Sequence, residues 1–334
     1  MQKLPKLSSE LVEFLKSSKN LLAFSAGSDS SALFYILKNL HVDFDIALVN
    51  YKTRAQSDAE ETYAKDLAKE FDKRVFTLTC KLEESNFEHN ARGKRYEFFE
   101  QIINEHSYTN LIMAHHLNDK FEWFLMQLGR GAGLVEMLGM SECEQRDNYK
   151  IIRPLINISK NELLEFLHVN NIKHFLDESN LNPKYKRNTI RATYANSFLK
   201  EYQEGIIKSF EYLQNDAKRL IIEDIKNIKE LYILDEDSDD LKNIRAIDKI
   251  IKKLGYLLSN LQREEILRTR DCVISKKIVV TFSDKKIYIC PHIKAVMDKK
   301  FKESCRKEKI PLKIRPYLFS QHISPSELYL TQKP

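Results

Sequence analysis

Four short apolar runs, each followed by an amphipathic stretch, set the character of the first half of the chain. They are 21–25 (LLAFS), 46–49 (IALV), 75–78 (VFTL) and 111–114 (LIMA), with helical patterns at 30–40, 57–71, 92–105 and 117–128. Strands alternating with helices predict βαβ units, and so an α/β fold with a parallel sheet and helices on both faces. Right-handed crossovers place every strand-to-helix loop along one edge of such a sheet, and that edge is where ligands bind.

The strand signal fades after Arg153-Pro154. Ser159 then caps a helix running to about residue 169, with Glu162 three positions on as a capping box. A polar segment at 177–186 leads into another helix at 187–200. From 201 to 270 the pattern reads as helical and highly charged. The end reads as a small α+β unit, in which KIVVTF and KIYIC flank residues 283–286 as a hairpin. At roughly 100–200 residues per domain, 334 residues suit two domains. The expected division is 1–205, a catalytic α/β domain, and 206–334, a helical and α+β C-terminal region.

Several classes of protein are excluded early. No run approaches the ~18 uninterrupted apolar residues of a membrane span. Glu10, Glu13 and Lys16 interrupt any signal-peptide core, so a cytoplasmic location is expected. The five cysteines are scattered and odd in number, which argues against a disulfide framework or a cysteine-rich metal site. Net charge is +6, and residues 294–315 alone hold nine basic against three acidic residues. Lys299, Lys300, Arg306 and Lys307 lie in that stretch, which is either a patch for a polyanion or a solvated lysine-rich tail.

The strongest chemical signal is Phe24-Ser25-Ala26-Gly27-Ser28-Asp29-Ser30, which ends a strand and opens a helix. Small residues let the backbone turn sharply, so that successive N–H groups converge on an anion at a helix N-terminus. Phosphate is the natural guest, although neither a Walker ending nor GxGxxG is present. Glycine is scarce: there are eight, where average usage of about 7% would give roughly 23. Gly129, Gly131, Gly133 and Gly139 nevertheless share one short window, either a helix C-cap and flexible turn or a loop bringing N–H groups to a substrate.

Other candidates carry open alternatives. Adjacent His115 and His116 point apart at the active edge, so one of them is expected to pack or cap. Asp119 and Glu122 share a helix face, as a solvated acidic face or as a carboxylate pair for Mg²⁺ or an ammonium group. Arg92 and Arg95 share a face that could clamp a phosphate or carboxylate. Arg187 and Arg191, with Lys184, Tyr185 and Lys186, form a basic-aromatic cluster suited to RNA.

Taken together, these segments resemble one family. The 25–30 loop is similar to the SGGxDS signature of the PP-loop ATP pyrophosphatases, with Ala26 in place of the first glycine. Residues 49–54 (VNYKTR), 91–96 (ARGKRY), 114–122 (AHHLNDKFE), 128–133 (LGRGAG), 138–140 (LGM), 153–155 (RPL) and 177–180 (DESN) follow in order, and then Arg187-Asn188 with Arg191. This set resembles the tRNA(Ile)-lysidine synthetases over about residues 20–200, with Tyr51 where His is usual and Lys120 where Gln is usual.

The resemblance implies a PP-loop fold and an ATP-dependent ligase that joins free L-lysine to C2 of the wobble cytidine of isoleucine tRNA with anticodon CAU. An adenylated tRNA intermediate precedes lysine transfer. It further implies that Ser25, Ala26, Gly27, Ser28, Asp29, Ser30, Asn50, Arg54 and His115 bind ATP, and that Asp29 and Asp119 hold Mg²⁺. Asp29, Asp119, Glu122, Arg92, Arg95 and Arg191 would carry the chemistry, with Glu122 the favoured holder of the lysine ammonium. Arg130, Lys184, Lys186, Arg187, Lys299, Lys300, Arg306 and Lys307 would contact RNA. Rival readings are a PP-loop tRNA thiolation enzyme and a non-catalytic, ATP-gated tRNA-binding protein. Oligomeric state stays open, a homodimer being one arrangement.

Overall fold

A computed structural model describes residues 4–52, 56–81, 87–175, 186–222 and 224–330. The chain divides into two compact units, Met1–Gln214 and Asn215–Pro334.

The first unit is built on six strands: β1 (Asn20–Ala23), β2 (Asp45–Asn50), β3 (Val75–Thr79), β4 (Asn110–Ile112), β5 (Cys143–Gln145) and β6 (Lys150–Ile152). Their helices are α1 (Ser9–Lys16), α2 (Ser28–Asn39), α3 (Ser57–Glu70), α4 (Phe87–His106), α5 (Leu117–Leu128), α6 (Leu134–Leu138), α7 (Lys160–Val169) and α8 (Lys186–Ile190). A π-helical turn, Arg191–Ala195, then leads into α9 (Asn196–Lys218), which is kinked at Tyr202 (φ −122°, ψ 24°). The expected 205/206 boundary falls inside α9, a helix with no composition break to mark where the first unit ends.

Strand order is β3-β2-β1-β4-β6-β5. All neighbours are parallel except β5 and β6. Alternate residues on a strand face opposite sides of the sheet, and both sides are covered here. Leu22 and Ile112 pack with Leu33, Phe34 and Leu37 of α2 and Leu163 and Phe166 of α7. Leu21 and Leu111 pack instead with Phe99, Ile102 and Ile103 of α4. Burial on both faces explains why β1 and β4 read as unbroken apolar runs. β1 lies between β2 and β4, so the chain's connections diverge there, and the C-terminal ends of β1 and β4 mark the switch point at which sheets of this kind bind ligands. The loops leaving these two strands are 24–27 and 113–116.

The second unit holds β7 (Ile225–Ile228), β8 (Leu231–Asp235), α10 (Asp240–Lys253), α11 (Asn260–Thr269), β9 (Asp271–Ile274), β10 (Ile278–Ser283) and β11 (Lys286–Pro291). α12 (Lys299–Lys307), α13 (Arg315–Ser320) and α14 (Pro325–Leu330) follow. Its antiparallel sheet runs β7-β8-β11-β10-β9. α10 and α11 cover one face of it, and the segment from α12 to α14 covers the other. The expected hairpin is present, with Ser283 paired to Lys286 and both turn residues left-handed (Asp284 φ 51°, Lys285 φ 59°), as tight hairpin turns require. The helical reading of 201–270 is corrected by β7 and β8. Their pattern, IKNIKELYILD, is short and lysine-rich, and its strand character comes from pairing, β8 with β11 and β7 with β8.

Candidate active site

The loop after β1 turns through Ala26, which is left-handed (φ 59°) and fully buried. A left-handed backbone strains any residue with a Cβ, and alanine holds it here because neighbours pin both sides of the turn. Phe175 N–H donates to Ala26 O at 2.9 Å, Ser31 N–H donates to Gly27 O at 3.0 Å, and the Ser30 hydroxyl donates to Gly27 O at 3.1 Å. Ser25 N–H donates to Ser30 Oγ at 3.2 Å, which closes the loop. Gly27 is the N-cap of α2 and has no side chain to cap it, so the first-turn N–H groups lack a side-chain cap from that position.

Asp29, in the first turn of α2, faces two basic partners. Lys160 Nζ lies 2.5 Å from its Oδ1 and 2.6 Å from Ser28 Oγ, while His116 Nε2 lies 3.7 Å from its Oδ2. Burial pushes the Asp29 carboxyl up, but the nearby His116 and the bonded Lys160 ammonium outweigh it and hold the group below its ordinary value. His116 opens α5, and its N–H donates to Asp119 Oδ2 at 3.1 Å. Burial opposes its charge, yet the carboxylates of Asp119 and Asp29 raise its pKa above that of an ordinary histidine. His115 is the opposite case. Burial, helped by the charges of Arg153, Arg187 and Arg92, pushes it down to about 4. Its Nδ1 is buried with no hydrogen-bond partner among the described residues.

The carboxylate pair has a different environment from the expected one. Glu122 is fully buried, with Oε1 2.5 Å from Arg191 Nε and Oε2 2.9 Å from Arg187 Nε. Asp119 Oδ1 lies 2.5 Å from Arg187 Nη2. Burial raises the Asp119 carboxyl, but His116 and Arg187 override it and hold it well below the usual carboxylate range. Both carboxylates are therefore bound to guanidinium groups. The oxygens of Glu122 face arginine, Asp119 Oδ1 faces Arg187 while its Oδ2 accepts from His116 N–H, and Arg187 links α8 to α5.

Asn50, expected at the nucleotide, is bonded within its own domain. Its side-chain amide donates to Asp58 Oδ1 at 2.9 Å and Glu61 Oε2 at 2.8 Å, and its Oδ1 accepts from Lys52 N–H at 2.9 Å. It fastens the end of β2 to α3 and has little left for a nucleotide. Tyr51, where histidine is usual, donates its hydroxyl to Ala91 O at 2.7 Å and so anchors α4. On α4, Arg92 lies over the Tyr96 ring at 5.4 Å and is exposed, while the buried Arg95 Nε has no partner among the described residues. Arg153 braces β5, donating to Ser141 O at 3.0 Å and Glu144 Oε2 at 2.7 Å.

Arg54 and Lys184 lie outside the described residues, as does the side chain of Lys186, which opens α8. In the glycine window, Gly129 ends α5 and Gly133 starts α6. Gly139 is left-handed (φ 34°), and a Cβ there would sit 1.9 Å from Trp123 Nε1. Arg130 is exposed on the loop between those helices. Lys299, Lys300, Arg306 and Lys307 are exposed on α12, whose Phe301 and Cys305 pack inward, so the basic stretch is a folded amphipathic helix and not a tail.

Lys160 is the functional candidate that motif reading passes over. The capping box of α7 was legible, with Ser159 N–H donating to Glu162 Oε2 at 2.9 Å, and it places Lys160 in the first turn. The fold then carries that turn to Asp29, and Lys160 N–H donates to Asn118 Oδ1 at 3.0 Å. Lys120 is the other surprise. It is 2% exposed, its Nζ donates to Asn157 Oδ1 at 3.2 Å and lies 4.5 Å from the Phe210 ring centre, and burial pushes its pKa down to about 8 against the pull of Glu142 and Glu211.

Residues 2–197 match the family model described as a PP-loop domain. A tRNA(Ile)-lysidine synthase of Campylobacter jejuni is 48% identical to this chain, over 96% of it and 98% of the relative. One from Wolinella succinogenes is 44% identical, over 92% and 94%. Among solved structures, a U34-tRNA thiolase from Methanococcus maripaludis matches with a TM-score of 0.51 at 17% identity, covering 63% of this chain and 75% of that one, a likeness of fold alone. Identity at this level over nearly the full length of both chains shows that the chain belongs to the tRNA(Ile)-lysidine synthase family.

Proposed function

We propose that this chain joins free lysine to C2 of the wobble cytidine in isoleucine tRNA with anticodon CAU, using ATP and leaving AMP and pyrophosphate. The observation that carries the reading is the convergence of Asp29, Lys160 and His116 on an anion-cradling loop at the sheet's switch point. In the first step the cytosine O2 attacks the α-phosphorus, and the bond to the β-phosphate's bridging oxygen breaks with its electron pair leaving on pyrophosphate. The 25–30 loop meets the phosphates with N–H and hydroxyl donors in place before the charge develops. Asp29 suits Mg²⁺, which is commonly held by one or two carboxylates together with substrate phosphates, and the ion would neutralise phosphate charge there.

In the second step the ε-amine of lysine attacks C2, AMP departs and the nitrogen loses a proton. Glu122 serves this step by position: with Asp119 it binds Arg187 and Arg191, and so fixes the 186–195 segment to α5. Arg92 and Arg95 remain candidates for the phosphate or the lysine carboxylate. Arg130 and the basic face of α12 are candidates for the tRNA backbone, where they would set affinity more than sequence choice.

The test is product analysis on the purified chain with ATP, the tRNA and lysine. Lysidine, AMP and pyrophosphate should form in equal amounts, and all should depend on the tRNA. Transfer of sulfur instead of lysine, or tRNA binding with no ATP turnover, would replace this reading with one of its rivals.

A further inference from the structure

The phosphate loop has a deficit that its own residues cannot make good. Residues 24–31 (FSAGSDSS) include no lysine or arginine, and the one charged side chain among them is the carboxylate of Asp29. A triphosphate approaching this loop would meet hydroxyls, amides and a like charge. The leaving pyrophosphate gains charge as the bond to the α-phosphorus breaks, and a fixed cation at that point is worth far more in the transition state than before it.

Lys160 brings such a cation from 131 residues along the chain. Its Nζ touches the loop twice, at Asp29 Oδ1 (2.5 Å) and Ser28 Oγ (2.6 Å). Its backbone is fixed independently, by the Ser159–Glu162 capping box and by the bond from its N–H to Asn118 Oδ1. Asn118 in turn donates to Asn196 Oδ1 at 3.0 Å, so α5, α7 and α9 are tied together around this one lysine. The side chain is 29% exposed, so the ammonium group is held in place without being sealed from a ligand.

We propose that Lys160 is a catalytic residue of the adenylation step, gripping the β- and γ-phosphates of ATP and staying with the pyrophosphate as it leaves. The proposal rests on the 25–30 loop being the ATP site. The ammonium forms no covalent bond, and it compensates the charge that the broken phosphoanhydride bond deposits on the leaving group. A lysine suits the task because its single charge on a flexible stem can follow a departing phosphate.

The rival role is a prop that only neutralises Asp29. Lys160→Gln and Lys160→Arg in the full chain separate the two, read by inhibition with inorganic pyrophosphate and with AMP alongside the rate of pyrophosphate release. Lys160→Gln should weaken pyrophosphate binding about tenfold or more and slow pyrophosphate release by about 10²–10³-fold, the range for losing one electrostatic contact to a transition state. AMP inhibition should stay within about twofold, because AMP lacks the phosphates that Lys160 holds. Lys160→Arg should recover most of both losses. Intact pyrophosphate binding in Lys160→Gln would overturn the proposal. So would equal losses toward AMP and pyrophosphate with Lys160→Arg no better than Lys160→Gln. A wild-type chain that releases pyrophosphate from ATP but makes no lysidine would sink the proposed reaction and leave this assignment standing.

Discussion

Two acidic neighbourhoods lie at the same edge of the sheet and are built for different work. Asp29 has a side chain 34% exposed, set against one lysine and one histidine on a loop of small residues. Glu122 is fully buried, with each oxygen facing an arginine. Charge type alone would make both candidates for the same catalytic tasks. What separates them is the stoichiometry of their partners and their access to solvent. A carboxylate with a movable ammonium partner can exchange it for a metal or a phosphate-bound cation. One that is itself buried between two guanidiniums cannot let go without leaving its own charge buried and unpaired.

The sharpest way to break this contrast is a matched pair of substitutions. Glu122→Gln should cost about 1–3 kcal/mol, because Arg191 loses its bonded carboxylate while Arg187 keeps Asp119, and thermal melting will show it as a drop of a few degrees. Asp29→Asn should melt close to wild type and lose pyrophosphate release by about 10²-fold or more. If Glu122→Gln melts normally and loses only lysine transfer, the pair serves lysine after all and the contrast fails.

Lys120 sharpens the point from the other side, as a buried charge without a carboxylate bonded to it. Its pKa of about 8, against an ordinary 10.5, means the folded state disfavours its proton. Below pH 8 the ammonium is present in both folded and unfolded chains, and the penalty is complete. Between pH 8 and 10.5 the unfolded chain binds the extra proton, so stability rises with pH. Lys120→Met should therefore stabilise the chain by about 1–3 kcal/mol at pH 7, the shift at about 1.4 kcal/mol per unit being partly offset by the Phe210 ring and Asn157. The gain should fade toward pH 10.5 in urea titrations. A gain that is constant with pH would point to packing instead.

The smallest effect is expected at Ala26→Gly. Relief of the left-handed strain, about 1–2 kcal/mol, is countered by the flexibility of glycine in the unfolded chain and by loss of a buried methyl. Melting should shift little, and pyrophosphate release should be unchanged. A large loss of either would mean that the methyl packing, and not the turn, shapes the phosphate loop.

The sequence alone determined those features that depend on neighbours in the chain. Strand-helix alternation specifies the parallel sheet, the small-residue break at 25–30 specifies the anion-cradling turn, and the Ser159–Glu162 box specifies the start of α7. Ordered motifs over about residues 20–200 point to the family. Tertiary structure decided what depends on partners distant in sequence. β8 is a strand because β11 offers it hydrogen bonds, and β7 because β8 does. Arg187 and Arg191 look like an RNA-facing cluster until α5 presents Asp119 and Glu122 to them. Asn50 looks like a nucleotide contact until α3 claims its amide. Lys160 carries no motif, and only the packing of α7 against α2 brings its ammonium to Asp29. A side chain's identity fixes which charge it can carry. Whether that charge is free to act depends on which groups the fold brings within about 3–4 Å of it, where Coulomb and hydrogen-bond energies become comparable with the stability of the whole domain.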